Sequence, residues 1–168
     1  RAYKLSNGQN ISEQKIRSFD GSRFYINKNV NYFLIQVTER GSKNLIQDGY
    51  YAYDDWQEKP RDKDLRLVKK DDLLVVYFAG RSIEHKKQIK KIYVVNEVPE
   101  TIKRVLVSEY NNLNGISYNE IKTLIQNGEL SEIFKNIGQE GFNITRIDKK
   151  DYDDLIRIDS INYDTFND

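Results

Sequence analysis

Aromatic and acidic side chains cluster in one short stretch of this sequence, "YYAYDDWQE" at residues 50–58. Flat aromatic faces bind nucleobases by stacking, worth roughly 1–3 kcal/mol per base, and a nearby carboxylate can accept a hydrogen bond from an exocyclic amine. The spacing of the rings fits no single face of a helix or strand, so we expect a loop at the mouth of a barrel. The candidate pocket residues in this stretch are Tyr50, Tyr51, Tyr53, Asp54, Asp55 and Trp56.

A competing interpretation of the same stretch is purely structural. In that interpretation Trp56 fills the interior of the barrel and the tyrosines cover an edge of the core. Large aromatic residues contribute heavily to cores, so their presence alone does not separate the two interpretations.

Charge is unevenly distributed along the chain, although the net charge is only +1. From Lys59 to Lys91 there are eleven Lys/Arg against five Asp/Glu, a local charge of +6, whereas Gln139 to Asp168 has four against eight, a local charge of −4. A basic middle segment favours an anionic partner, although a solvated surface accounts for it equally well. The residues we predict to contact phosphates are Lys59, Arg61, Arg81, Lys86 and Lys87.

The composition leaves few catalytic chemistries. Cysteine is absent and His85 is the only histidine, which excludes disulfides, thiolate zinc sites and cysteine nucleophiles. Asp62 and the "EIK" at 120–122 resemble the acidic–x–basic motif of metal-dependent nucleases. That motif needs a strand, whereas this one follows the capping box "SYNE" of Ser117 and Glu120 and belongs on a helix. We therefore expect a protein without enzymatic activity, metal or cofactor.

The setting expected for the chain follows from what its sequence lacks. No apolar run approaches the roughly 18–20 residues of a membrane span, and we find no signal peptide. Together with the absence of cysteine, this predicts a cytoplasmic protein. Because the sequence opens on Arg1 and not on methionine, we expect a fragment or a processed form of a longer protein.

The secondary structure expected from the sequence places these residues on a sheet. Strong strand patterns occur at 31–37, 69–80 and 89–99, and the last two form a hairpin with a basic loop over 81–88. "LRLV" (65–68) reads as a short further strand. The 39–64 connection holds the aromatic stretch and one or two helical turns.

Helical patterns dominate the second half of the chain. Apolar residues at helical spacing over 102–113 predict a helix, and two more begin after Ser117 and near Leu130. "GFNITRI" (141–147) alternates like a strand, and "DKKDYDDLIRI" (148–158) reads as a helix. The pattern predicts an α+β domain whose strands form a small barrel or curled sheet, with residues 159–168 as a linker or frayed tail.

Several segments together resemble the EVE domain family, a PUA-like group related to YTH domains. These are "NYFLIQV", the aromatic loop, "KKDDLLVVYFAGR", "KKIYVVNEV" and "GFNITRIDKKDYDDLI", and the likeness covers roughly residues 30–158. The glycine of the family's "GD" position is missing, since Asp71 and Asp72 stand there, and "KKIYVVNEV" also lacks its usual glycine. The closing segment resembles EVE-like domains attached to McrB-type restriction GTPases.

The resemblance implies a small β-barrel flanked by helices, preceded by an N-terminal extension over residues 1–30. It also implies that a modified base is flipped into an aromatic pocket. The loop at 50–56 lies where YTH-like relatives place a cage residue, and Phe78 in "FAGR" lies where the next pocket wall forms. The implied partner is nucleic acid, most readily duplex DNA with a methylated base, and a nucleotide-hydrolysing motor domain is expected to follow Asp168. An RNA-binding domain and a module for small molecules or proteins are the open alternatives.

Overall fold

The computed structural model describes residues 29–52, 60–100 and 104–167, except the side chains of 60–62 and 163–167. By its internal contacts the chain divides into two units, Arg1–Val30 and Asn31–Asp168. Residues 1–28 of the predicted N-terminal extension lie outside the described residues.

Three strands at the centre of the sheet confirm the strongest patterns in the sequence. β1 (Tyr32–Val37), β3 (Leu73–Phe78) and β4 (Gln88–Glu97) follow the three predicted segments. Every residue of β3 is buried, because its unbroken apolar run is covered on both faces of the sheet. β3 and β4 pair antiparallel as the predicted hairpin, whereas β1 and β3 are parallel.

Six strands form one curled, mixed sheet with the order β2-β5-β4-β3-β1-β6. β2 (Tyr50–Ala52) and β6 (Ile144–Ile147) form its two ends. One face holds a core cluster that includes Phe33, Leu74 and Tyr93. The opposite face is covered by α2 (Tyr118–Gln126) and α3 (Lys149–Asn167), which bury Ile121 and Leu155. The α+β half-barrel flanked by helices agrees with the predicted fold class.

The predicted helix over 102–113 is wrong, because this segment is a strand, β5 (Arg104–Ser117). Val105 and Val107 are buried by strand alternation, whereas Tyr110, which the helical pattern requires on its apolar face, is 58% exposed. The pairing of β5 with β4 also shifts register at three places. These irregularities break the period-two pattern and leave apolar residues at accidental helical spacing.

Two shorter predictions also need correction. "LRLV" forms no strand; it ends a 3₁₀ helix at Pro60–Leu67. Residues 159–167, expected to be a linker or frayed tail, continue α3 as far as Asn167. The buried Asp159 carboxylate accepts hydrogen bonds from the backbone N–H groups of Asn114 (3.0 Å) and Gly115 (2.8 Å), so the helix is fixed to β5 well beyond residue 158.

The remaining helical signals are confirmed. The Ser117 hydroxyl accepts from the Glu120 N–H at 3.2 Å and begins α2. A short 3₁₀ helix covers Glu132–Asn136. After β1 the chain turns into α1 (Glu39–Lys43) and a wider π-helical turn, Asn44–Asp48. Gly41 permits α1 to approach β1, since a Cβ there would lie 3.0 Å from the Val37 Cβ.

Candidate functional site

A cleft opens where β1 and β3 end. Because these two strands are parallel and adjacent, their carboxyl ends lie at the same edge of the sheet. The Ala79 N–H donates to the Val37 carbonyl at 2.9 Å, so the segments that follow the two strands begin side by side. α1 follows β1, and the loop of residues 79–87 follows β3 and leads into β4. The cleft between them measures about 490 Å³ and is lined by Thr38, Glu39, Arg40, Lys43, Arg81 and Ile83.

Buried serines fix the two walls of the cleft to each other. Ser42 on α1 is 0% exposed and Ser82 in the loop is 1% exposed. The Ser42 hydroxyl accepts from the Ile83 N–H at 3.0 Å, and the Ser82 hydroxyl donates to the Val37 carbonyl at 3.2 Å. Ser42 in turn donates to the Glu39 carbonyl at 2.9 Å. The cleft is therefore shaped by hydrogen bonds before any ligand arrives.

Three of the four charged residues that line the cleft are cationic. Arg40 and Lys43 reach it from α1 and Arg81 reaches it from the loop, against the single carboxylate of Glu39. Within the described ranges, none of the three cationic side chains forms an ion pair or hydrogen bond. Three exposed and unpaired positive charges around one space attract anions.

The 79–87 loop holds a defined conformation that continues the positive surface. His85 and Lys87 both adopt left-handed backbone angles, φ 58° and 60°, which non-glycine residues seldom do. The loop is closed by the Lys87 N–H, which donates to the Phe78 carbonyl at 2.6 Å. Lys86 and Lys87 are exposed on its outer side. Backbone strain of this kind persists only where surrounding contacts determine the structure, and it often marks a functional segment.

His85 packs against the core rather than lying in solvent. Its ring meets the edge of Phe78 with a centroid distance of 5.4 Å, and its Nε2 lies 3.5 Å from the Glu84 carboxylate. Burial lowers the pKa of the imidazole below 6.5, and Lys91 and Lys90 act in the same direction, whereas Glu84 and Glu109 oppose them. The lowered pKa favours the neutral imidazole, which has both a donor and an acceptor nitrogen.

The two lysines near the start of β4, Lys90 and Lys91, bind other groups of the protein. The Lys90 ammonium donates to the carbonyls of Leu113 (2.6 Å) and Asn114 (3.3 Å). Lys91 forms an ion pair with Glu109. Within residues 81–91, the cations without such a partner are Arg81, Lys86 and Lys87, all three of which were predicted to contact phosphates.

The predicted base-pocket residues divide into three groups. Tyr53, Asp54, Asp55 and Trp56 lie outside the described residues, as does Lys59 among the phosphate candidates, and only the backbone of Arg61 is described. Tyr51 and Phe78 belong to the core cluster, with 1% and 0% of their surface exposed. Neither therefore presents a ring face to solvent in this structure.

Among the predicted pocket residues that the structure describes, Tyr50 is the one with a partly accessible ring. It is half-buried at the start of β2, and its hydroxyl donates to the Asn44 side-chain oxygen at 3.1 Å. The Arg104 guanidinium lies 4.3 Å from its ring centroid, in cation–π contact.

The structure also locates the nuclease-like motif. Glu120 and Lys122 lie on α2, as the capping box predicted, and the Glu120 carboxylate accepts from the Asn162 amide at 3.1 Å. In the described part of the chain, no group of three or more histidine, cysteine or acidic side chains is placed to hold a metal ion. No helix in that part is long and apolar enough to cross a membrane.

No protein-family model and no curated protein matches the chain by sequence. Solved structures do match its fold. A hypothetical protein from Leishmania major aligns with a TM-score of 0.57 at 12% identity, over 80% of this chain and 98% of that one. Human THYN1, solved in complex with DNA containing 5-methylcytosine, aligns with a TM-score of 0.56 at 12% identity, over 77% and 97%.

A YTH domain aligns as well. The Pho92 YTH domain, solved in complex with m6A, has a TM-score of 0.50 at 10% identity, over 82% of this chain and 91% of that one. At these identities the comparison establishes the fold alone. The chain has an EVE/YTH-like, PUA-like fold, as the resemblance in the sequence implied.

Sequence reasoning missed several residues of the cleft. Arg40 and Lys43 stand in "TERGSK", which has only one more basic than acidic residue, and Ser42 and Ser82 looked like ordinary turn residues. The one available signal was that two predicted strands are each followed by an arginine within four residues, Arg40 after Val37 and Arg81 after Phe78. That signal is informative only once the two strands are known to be parallel neighbours.

Proposed function

We propose that this domain binds nucleic acid, whose phosphates lie at the edge of the sheet where β1 and β3 end, and that it recognises a modified base. The observation on which the proposal chiefly rests is the convergence of unpaired cations at this edge, Arg40, Lys43 and Arg81 in the cleft and Lys86 and Lys87 beside it. Phosphate contacts of this kind supply most of the sequence-independent affinity for nucleic acid.

The fold adds independent support. Two proteins with this fold were solved with a methylated base or with DNA that contains one, THYN1 with 5-methylcytosine DNA and Pho92 with m6A. In our proposal the base leaves its stack and enters a site bounded by the aromatic loop at 50–56, with Trp56 as the principal stacking surface. We place duplex DNA ahead of RNA as the ligand.

We further propose a role for the domain in the cell. The likeness of "GFNITRIDKKDYDDLI" to EVE-like domains of McrB-type GTPases supports a target-recognition module in a modification-dependent restriction complex. In that arrangement the domain is a non-catalytic reader in the cytoplasm, and a fused motor domain hydrolyses nucleotide.

Fluorescence anisotropy tests the proposal with one duplex in three forms: unmodified, with N6-methyladenine and with 5-methylcytosine. A matched RNA carrying N6-methyladenosine forms a fourth arm. We expect one modified DNA to bind more tightly than the unmodified duplex. A buried methyl group contributes on the order of 0.8 kcal/mol, about fourfold in affinity, and more if a polar edge is also read.

Variants decide whether the aromatic loop carries the preference. Trp56→Ala should abolish the difference between modified and unmodified duplexes. Tyr110→Ala is the matched control, since Tyr110 is 58% exposed on β5 and belongs to no part of the proposed site. If the protein without substitutions binds all three duplexes equally, base recognition is refuted. If it binds the modified RNA more tightly than any duplex, the ligand is RNA.

A further inference from the structure

We propose that the cleft between α1 and the 79–87 loop is a phosphate-binding site, in which Arg40, Lys43 and Arg81 hold one phosphate group and Glu39 weakens its binding. The inference rests on the proposed function and deepens it. It assigns roles to Arg40, Lys43 and Glu39, which the sequence did not single out.

The cations converge from two segments about forty positions apart in sequence. Arg40 and Lys43 are three residues apart on α1, so their side chains project from the same side of the helix. Arg81 enters from the loop after β3, and all three line the same cleft. Two arginines and a lysine around one space provide forked donors and a point charge, the combination that suits a phosphate group.

The same three side chains make no ion pair or hydrogen bond within the described ranges, whereas their neighbours Lys90 and Lys91 do. Like charges that share a cleft repel each other, and an anion relieves that repulsion. Because the Ser42–Ile83 and Ser82–Val37 hydrogen bonds already fix the backbone of both walls, the ordering that binding requires is confined to the three side chains.

Glu39 is expected to act in the opposite direction to the three cations. Its carboxylate lines the cleft with the three cations and lowers the positive potential that a phosphate would meet. Removing this charge without changing its shape should therefore strengthen binding. A residue that served only to hold the fold together would not improve binding when it is altered.

The experiment measures the affinity of single variants for modified and unmodified duplexes over a range of salt concentrations. Arg40→Gln and Lys43→Gln should each weaken binding to both duplexes by the same factor, about tenfold, and reduce the salt slope by up to about 1. Glu39→Gln should tighten binding roughly threefold. Lys135→Gln is the charge-matched control, because Lys135 is exposed on the 3₁₀ helix Glu132–Asn136, among the helices rather than in the cleft.

Three probes separate the possible sources of the phosphate: a duplex with 5′-hydroxyl ends, the same duplex with 5′-phosphates, and inorganic phosphate alone. Equal effects on both duplexes identify a backbone phosphodiester, and effects confined to the second identify a terminal phosphate. Losses in Arg40→Gln no greater than in Lys135→Gln, or weaker binding by Glu39→Gln, would overturn the inference while leaving base recognition intact.

If the unmodified protein binds no nucleic acid, the proposed function fails and the inference is judged on inorganic phosphate. In that case, ¹⁵N chemical shifts of the arginine side chains are followed as phosphate is added. Saturable shifts that Arg40→Gln removes retain the cleft as a phosphate site for another ligand. Unchanged shifts refute it.

Discussion

The Ser42 hydroxyl accepts a hydrogen bond from the Ile83 N–H at 3.0 Å, across 41 positions of sequence. This contact joins α1 to the loop after β3, and it does so without exposed surface, since Ser42 is fully buried. The shape of the cleft therefore depends on one small side chain that touches no proposed ligand.

Replacing Ser42 by alanine should destabilise the domain. The Ile83 N–H would lose its acceptor, and an unsatisfied buried donor costs about 1–3 kcal/mol. Urea unfolding followed by circular dichroism measures the change. Ser160→Ala is the control, because Ser160 is exposed on α3 and its hydroxyl only donates back to the Ile156 carbonyl. Equal effects of the two substitutions would contradict the role given to Ser42.

Tyr51 and Tyr50 should behave differently although they are adjacent. Tyr51 is 1% exposed within the core cluster, so Tyr51→Ala should lower the free energy of unfolding by about 3–5 kcal/mol, as for other large aromatic residues. Tyr50→Ala loses a half-buried ring and its contact with Arg104, and should cost about 1 kcal/mol. Chemical denaturation distinguishes these values. A stable Tyr51→Ala protein that no longer binds nucleic acid would instead place Tyr51 in the ligand site.

His85 should make the stability of the domain depend on pH. Burial lowers the pKa of the folded imidazole below 6.5, whereas the unfolded imidazole titrates near 6.5. Below pH 6.5 the unfolded state therefore binds more protons, and the free energy of unfolding falls as the pH falls. His85→Asn should flatten this dependence, since asparagine tolerates the left-handed backbone at this position.

The His85→Asn variant shows whether the pH dependence arises from this histidine. Four charged neighbours, Glu84, Glu109, Lys90 and Lys91, influence the pKa of the imidazole and are unchanged in the variant. Because His85 is the only histidine, unfolding curves between pH 5 and 7.5 report chiefly on it. An unchanged slope in His85→Asn would show that the pH dependence arises elsewhere.

Asp159 should be needed to hold the second half of α3. Its carboxylate accepts from two backbone N–H groups of β5, so Asp159→Ala leaves both without their acceptor, at about 1–3 kcal/mol for each group that becomes buried and unsatisfied. Thermal unfolding measures the loss. Asp153→Ala is the matched control, because its exposed i,i+4 pair with Lys149 contributes at most about 0.5 kcal/mol. Similar melting temperatures for the two variants would contradict this account.

The sequence predicted the centre of the fold well and its periphery poorly. β1 and β3 have dense apolar runs buried on both faces of the sheet, and β4 has the shorter run "IYVV". β5 failed because its exposed residues 108–112 and shifted register hide the alternation that marks a strand. The α3 extension failed because Asp159 and Asn162 look like loop residues until their partners on β5 are known.

The candidate site was only half accessible to sequence reasoning. Arg81, Lys86 and Lys87 stand in a run of basic residues, and local composition is sufficient to find them. Arg40 and Lys43 lie in an unremarkable turn, and their meeting with Arg81 depends on the parallel pairing of β1 with β3. Parallel pairing leaves no local signal in either strand, so composition alone could not find this cleft.

Gln36, near the end of β1, has consequences for how the domain is made. Its side-chain amide donates to the carbonyls of Gln139 (3.0 Å) and Phe142 (3.2 Å), and its oxygen accepts from the Gly138 N–H (2.7 Å). These contacts span more than 100 positions of sequence, and contacts of such separation slow folding because long loops must close first. A ribosome would release β1 well before the segment that completes its surroundings, so the strand beneath the cleft must wait for most of the chain before it reaches its final environment.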